Sequence, residues 1–123
     1  MYIKGVGCTK FGQQSDVSQK LAYDAAMEAL EDAQINTGQI EAIVVSTADS
    51  TINGERQRLF GSIISGMLHI KVPVITASAV CAGGGAALWT ASCMDYNNIL
   101  VVGVDRLLTN NSMNITDDIM MAA

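Results

Sequence analysis

The stretch Pro73-Val-Ile-Thr-Ala-Ser-Ala-Val-Cys-Ala-Gly-Gly-Gly-Ala-Ala-Leu88 decides the fold. The apolar run from Val72 to Ala77 predicts a short strand, opened by a proline whose missing N–H is tolerated there. A compact turn follows. Cys81 then stands just ahead of Gly83, Gly84 and Gly85, and the run continues as helix from Ala86 to Met94. A cysteine where a strand hands over to a helix meets free N–H groups and the positive end of the helix dipole, which favour the thiolate over the thiol. Glycines at such a point let a ligand carbonyl come close to the backbone. A thiolate beside N–H donors is the minimum equipment for acyl transfer through a covalent thioester. The same residues have a purely structural reading. Cys81 can be a small buried hydrophobe, and the glycines can serve tight packing of helix on sheet. Both readings stand open for Cys81, whereas burial is the expectation for Cys8 and Cys93. The glycines do not form the G-x-G-x-x-G phosphate pattern, and no P-loop lysine follows them.

Composition narrows the class. With 123 residues the chain holds one domain at most, and half of it is apolar against 15% charged residues. That is richer in apolar residues than so short a chain needs, which predicts surface meant for a partner chain or for a further part of the same protein. A net charge of −5 and the lack of a Lys/Arg cluster argue against nucleic acid. No apolar run approaches a membrane span, and the start, Met1-Tyr-Ile-Lys-Gly-Val-Gly, is not patterned as a signal peptide. Three cysteines without a C-x-x-C pair make disulfides and a structural zinc unexpected, so a reducing cytoplasm is the default. No metal site is expected.

Taken in order, Tyr2 to Phe11 alternates loosely and predicts a first strand, its glycines permitting close packing. Asp16 and Gln19 resemble a capping box, so a helix should begin near Val17 and run to Ala33. Leu21, Ala22, Ala25, Ala26, Ala29, Leu30 and Ala33 form its small apolar face, and Lys20, Asp24, Glu28, Glu31 and Asp32 its solvated one. Ala42 to Thr47 reads as a strand covered on both faces. Arg56 to Leu68 predicts a helix with Leu59, Ile63 or Ile64, and Met67 inward. His69, the single histidine, follows at its end, where the dipole favours it and no second histidine exists to form a metal site. Ile99 to Val104 predicts a further strand, and Asp117 is expected to cap a short apolar turn through Ala123. The order β-α-β-α-β-α-β implies an α/β fold, a largely parallel sheet with helices on both faces. Cys81 then lies beyond the carboxyl end of a strand, where open α/β sheets place ligands.

Three landmarks carry a resemblance. Tyr2-Ile-Lys-Gly-Val-Gly-Cys-Thr-Lys-Phe-Gly12 is similar to the opening strand and Thr-x-Phe-Gly turn of thiolases, above all their archaeal and sterol-carrier-protein-like branch. Ala79-Val-Cys-Ala-Gly-Gly-Gly-Ala-Ala-Leu88 looks like that family's nucleophile motif. Ile99-Leu-Val-Val-Gly-Val-Asp-Arg106 resembles its Val-x-Gly-x-Glu strand. The resemblance implies that residues 1–123 are the first part of a thiolase-like N-terminal domain. It implies an acyl-CoA substrate, no other cofactor, and Cys81 as the acyl-carrying nucleophile of a Claisen condensation or thiolysis. It further implies a homo-oligomer such as a dimer, or a partner chain bringing the C-terminal half. The loop domain, a last strand, the activating His, the Asn–water site and the second Cys of the family have no counterpart here, and Gly83 stands where relatives usually carry Ser. The chain alone is therefore expected to be catalytically incomplete. Ketoacyl synthases and hydroxymethylglutaryl-CoA synthases share the nucleophile motif and are the alternatives within the superfamily. A non-catalytic interaction or scaffold protein of the same fold is the alternative outside enzymes.

Overall fold

The computed structural model describes residues 1–12, 18–47 and 60–105. Six regular elements follow one another there: α1 (Ser18–Ala33), β1 (Ala42–Ser46), α2 (Phe60–Met67), β2 (Val74–Thr76), α3 (Gly83–Ser92) and β3 (Ile99–Gly103). The three strands form a parallel sheet in the order β2-β1-β3. Ile43 pairs with Val74 on one side of β1 and with Leu100 on the other. A central parallel strand has no solvent face, and all five residues of β1 are buried, as its continuous apolar run requires.

The period-two alternation of β1 sends its side chains into two cores. Ile43 and Val45 point with Leu100 and Val102 toward α1 and α2, where they meet Ala22, Ala26, Leu30, Phe60 and Ile64. Val44 points the other way, with Ile99 and Val101, onto Ala87 and Ala91 of α3. The α/β reading with helices on both faces is thus met. Ile43, Val44, Val45 and Ile64 are the largest fully buried side chains, each contributing about 1.5–3 kcal/mol by leaving water.

Both α1 and α2 end in the same way. Ile35 N–H reaches back to the Leu30 carbonyl and Gln34 N–H to that of Glu31; Ile70 and His69 repeat this with Ser65 and Gly66. This Schellman arrangement places the residue after the helix in the left-handed region, and Gln34 and His69 stand there with φ of 57° and 54°. His69 is therefore the helix-stop residue of α2, exposed to solvent.

The strand expected over Tyr2–Phe11 is not formed. Those residues form no regular element and pair with no described strand. Their backbone instead lies flat on α1, in the channel left by Ala25, Ala29 and Ala33, with Gly5 and Gly7 at the closest points. The Val6 N–H that a sheet would have used goes to Asp32 Oδ2 at 2.9 Å, and Lys4 Nζ meets Asn98 Oδ1. The alternation that suggested a strand leaves Tyr2, Ile3, Val6 and Phe11 exposed. The expectations for Asp16, Leu59 and the Asp117 turn lie outside the described residues.

Candidate active site

The carboxyl ends of the strands carry the candidate site. After β2, Ala77 N–H still donates to the Val45 carbonyl at 2.8 Å, and the chain then leaves the sheet. Val80, Cys81 and Ala82 form one turn of 3-10 helix, closed by Ala82 N–H to the Ala79 carbonyl at 2.9 Å. The Gly83 N–H donates to the Val80 carbonyl, so the turn runs straight into α3. Cys81 is therefore bracketed between a strand end and a helix start, as expected, and it is exposed.

The helix begins at Gly83, three residues ahead of the expected Ala86, so the glycines are its first turn and not a loop before it. Their roles differ. Gly83 is buried, and a Cβ there would overlap Ser46 Oγ; Gly84 and Gly85 have open space where side chains would be. The first serves packing, and the other two leave the helix start uncovered. The N-cap residue, Ala82, provides no side-chain hydrogen bond. Among the described residues no side chain caps the start of α3, and the Gly83 N–H is already taken by the Val80 carbonyl.

Val80 has a φ of 47°. For a β-branched residue this region is an outlier costing on the order of 1–3 kcal/mol, a strain that clusters at functional sites. No sequence rule pointed to Val80, because nothing in its type signals a left-handed backbone. On the neighbouring strand ends, Thr47 Oγ1 donates to Asp105 Oδ1 at 3.0 Å, a pairing the sequence reading also missed.

The other cysteines are not drawn to the site and are not buried as expected. Cys8 is exposed on the segment over α1, its thiol directed to the Thr9 carbonyl, and Cys93 is exposed as the residue that ends α3. Among the described residues, no group of three or more His, Cys, Asp or Glu could hold a metal ion. Among the same residues, no helix is long and apolar enough to cross a membrane.

A parallel α/β sheet with a cysteine turn feeding a helix defines a class, and comparison with known proteins names it. The fold and the sequence place the chain in the thiolase-like superfamily, matching the N-terminal portion, as a relative of its condensing enzymes. No protein-family profile matches. The chain is 31% identical over 108 residues to the β-ketoacyl-[acyl-carrier-protein] synthase III of Staphylococcus saprophyticus, covering 84% of the chain and 34% of that enzyme. The 3-oxoacyl-[acyl-carrier-protein] synthase III of Aquifex aeolicus superposes with a TM-score of 0.62 at 25% identity, over 73% of the chain and 30% of the enzyme. Xanthomonas campestris OleA, crystallised with cerulenin, shares the fold with a TM-score of 0.67 at 17% identity, over 89% and 37%. The chain spans about a third of the length of the curated relatives it matches. The Staphylococcus and Aquifex relatives are ketoacyl synthases and not thiolases proper, which moves the reading from the thiolase branch to the synthase alternative. The shared nucleophile motif drew the sequence reading to the superfamily, and the short opening turn was too small a landmark to choose the branch.

Proposed function

We propose that the chain is the nucleophile-bearing part of a ketoacyl-synthase-III-like condensing enzyme, with Cys81 as the acyl carrier. The Cys81 sulfur attacks the carbonyl carbon of an acyl-CoA. The carbon–sulfur bond to coenzyme A breaks, the CoA thiol leaves with a proton, and the acyl group stays on Cys81 as a thioester. A second substrate, held on acyl carrier protein as the names of the matched synthases indicate, loses a proton or carbon dioxide from its α-carbon. The electron pair left there attacks the thioester carbonyl, the acyl–sulfur bond breaks, and the Cys81 sulfur leaves and takes up a proton. The observation that carries this reading is the exposed Cys81 in a strained turn that runs into the start of α3, where no described side chain caps the helix. Developing oxyanion charge there would be met by backbone N–H groups.

The base and the rest of the acyl-binding surface come, in this reading, from protein outside residues 1–123, on the same polypeptide or on a partner chain. The outer side of α3 supports it: Leu88 and Trp89 are exposed there, and Val80 is exposed at the turn before it. A patch of this kind marks a contact surface. Three free thiols fit a reducing cytoplasm.

The test is acyl transfer. After incubation with acetyl-CoA, intact-mass analysis should show one acetyl group, labile to hydroxylamine, that Cys81→Ala abolishes. Acetylation spread equally over Cys8, Cys81 and Cys93, or a hydroxylamine-labile acetyl group that survives Cys81→Ala, would contradict the assignment. A folded chain that takes no acetyl group but still self-associates through α3 would favour the scaffold reading.

A further inference from the structure

We infer that Ser46 is a positioning residue for Cys81, acting through Gly83; the inference rests on the acyl-transfer reading above. Ser46 is the last residue of β1 and is only 3% exposed. Its place is fixed from the sheet side: it pairs with Gly103, and its carbonyl accepts the Val104 N–H at 3.0 Å. Its hydroxyl oxygen occupies the space that a side chain on Gly83 would need. Gly83 in turn donates its N–H to Val80, so Val80 and Gly83 are the two ends of the turn that holds Cys81. Further along the same helix, Ala87 is fully buried on the sheet.

The helix therefore rests on the sheet at two points. At Ala87 a methyl group sets the spacing. At Gly83 there is no side chain, and the Ser46 hydroxyl stands in its place, with the Ser46 Cβ 3.4 Å from where a Gly83 Cβ would be. A serine and a glycine divide one side chain's volume between them, and the division determines how deep the first turn of α3 lies, hence where the Cys81 sulfur stands relative to the first-turn N–H groups. A displacement of about 1 Å at a reacting centre costs up to about a hundredfold in rate, so this contact acts on chemistry without touching substrate.

The experiment exchanges the volume across the contact and reads iodoacetamide alkylation of Cys81 against Cys93 in the same molecule. Gly83→Ala should slow Cys81 about tenfold relative to Cys93. Adding Ser46→Gly, which returns the space, should restore the ratio to within about threefold. Cys8 and Cys93 are already exposed, so loosening would leave them unchanged and lower Cys81 too; thermal unfolding is therefore read on each variant, and a lower ratio counts as positioning only where the Tm is kept. Should Gly83→Ala fail to fold, Ser46→Thr, which crowds the same point from the strand, must give the same selective loss. A Cys81 ratio that neither Gly83→Ala nor Ser46→Thr changes, or one that Ser46→Gly does not rescue, overturns the Ser46 assignment while leaving the nucleophile intact. Equal reactivity of Cys8, Cys81 and Cys93 in the unsubstituted chain overturns both.

Discussion

Gly5 lies so close to Ala29 that a Cβ added to it would stand 2.5 Å from the Ala29 carbonyl oxygen, and 2.5 Å from the Ala33 amide nitrogen. The N-terminal segment is held against α1 by backbone proximity, since its large side chains face solvent. Neither Ala29 nor Ala33 can yield, because both contacts include helix backbone. Gly5→Ala should therefore lift residues 1–11 from α1 and cost about 1–3 kcal/mol, as overpacking does. Hydrogen exchange checks it: the Val6 amide, bonded to Asp32, should lose its protection while the amides of β1 keep theirs.

The two helix stops give a prediction of opposite sign. Gln34 and His69 hold left-handed φ values that glycine adopts without a Cβ penalty. Gln34→Gly and His69→Gly should each raise stability by about 0.5–1 kcal/mol. Thermal unfolding reads this as a small rise in Tm. A fall for His69→Gly would show that the imidazole makes a contact worth more than the strain it carries.

How much of this was legible in the sequence follows from what each element depends on. Strand β1 and strand β3 came out within a residue or two of expectation, because β1 is buried throughout and must be apolar, and β3 is apolar and at least half-buried as far as Val102. Helix α1 was legible for its period, yet its apolar residues serve two masters: Leu21, Ala22, Ala26 and Leu30 face the core, while Ala25, Ala29 and Ala33 receive the N-terminal segment. The failure at residues 2–11 has the same root. Alternation marks an extended chain, but a strand also needs a neighbour, and no local pattern reveals whether one is there. At the site, Cys81 was legible from its place between an apolar run and a helix. Val80 and Ser46 were not, since the strain of the one and the contact of the other exist only once the sheet has brought β1 beside α3.

Val80→Gly should separate stability from reactivity. Removing the β-branched side chain at a φ of 47° relieves strain and should stabilise the fold by about 1 kcal/mol. The freer turn should at the same time lower the selectivity of Cys81 toward alkylation. Chemical denaturation and mass spectrometry on one sample test both halves, and a rise in selectivity would contradict the view that strain fixes the thiol.

Two neighbouring positions of α3 should respond very differently. Ala87 is fully buried against Val44 and Trp89 is 71% exposed. Ala87→Leu should cost about 1–3 kcal/mol by forcing helix from sheet. Trp89→Ser should change stability by no more than about 0.5 kcal/mol and should weaken any self-association seen by analytical ultracentrifugation. A large loss of stability from Trp89→Ser in a monomeric sample would mean that its ring is packed within the chain and is no contact surface.

The central claim is that Cys81 is the nucleophile and that the turn before α3 makes it so. The most direct measurement is the rate of iodoacetamide alkylation of each cysteine, read by mass spectrometry across a pH series, with the exposed Cys8 and Cys93 as internal standards. All three thiols are accessible, so exposure alone would give similar rates. Selective reaction of Cys81, about tenfold or more ahead of both standards and abolished in denaturant, is the predicted result. Three equal rates, or an inert Cys81, would contradict it.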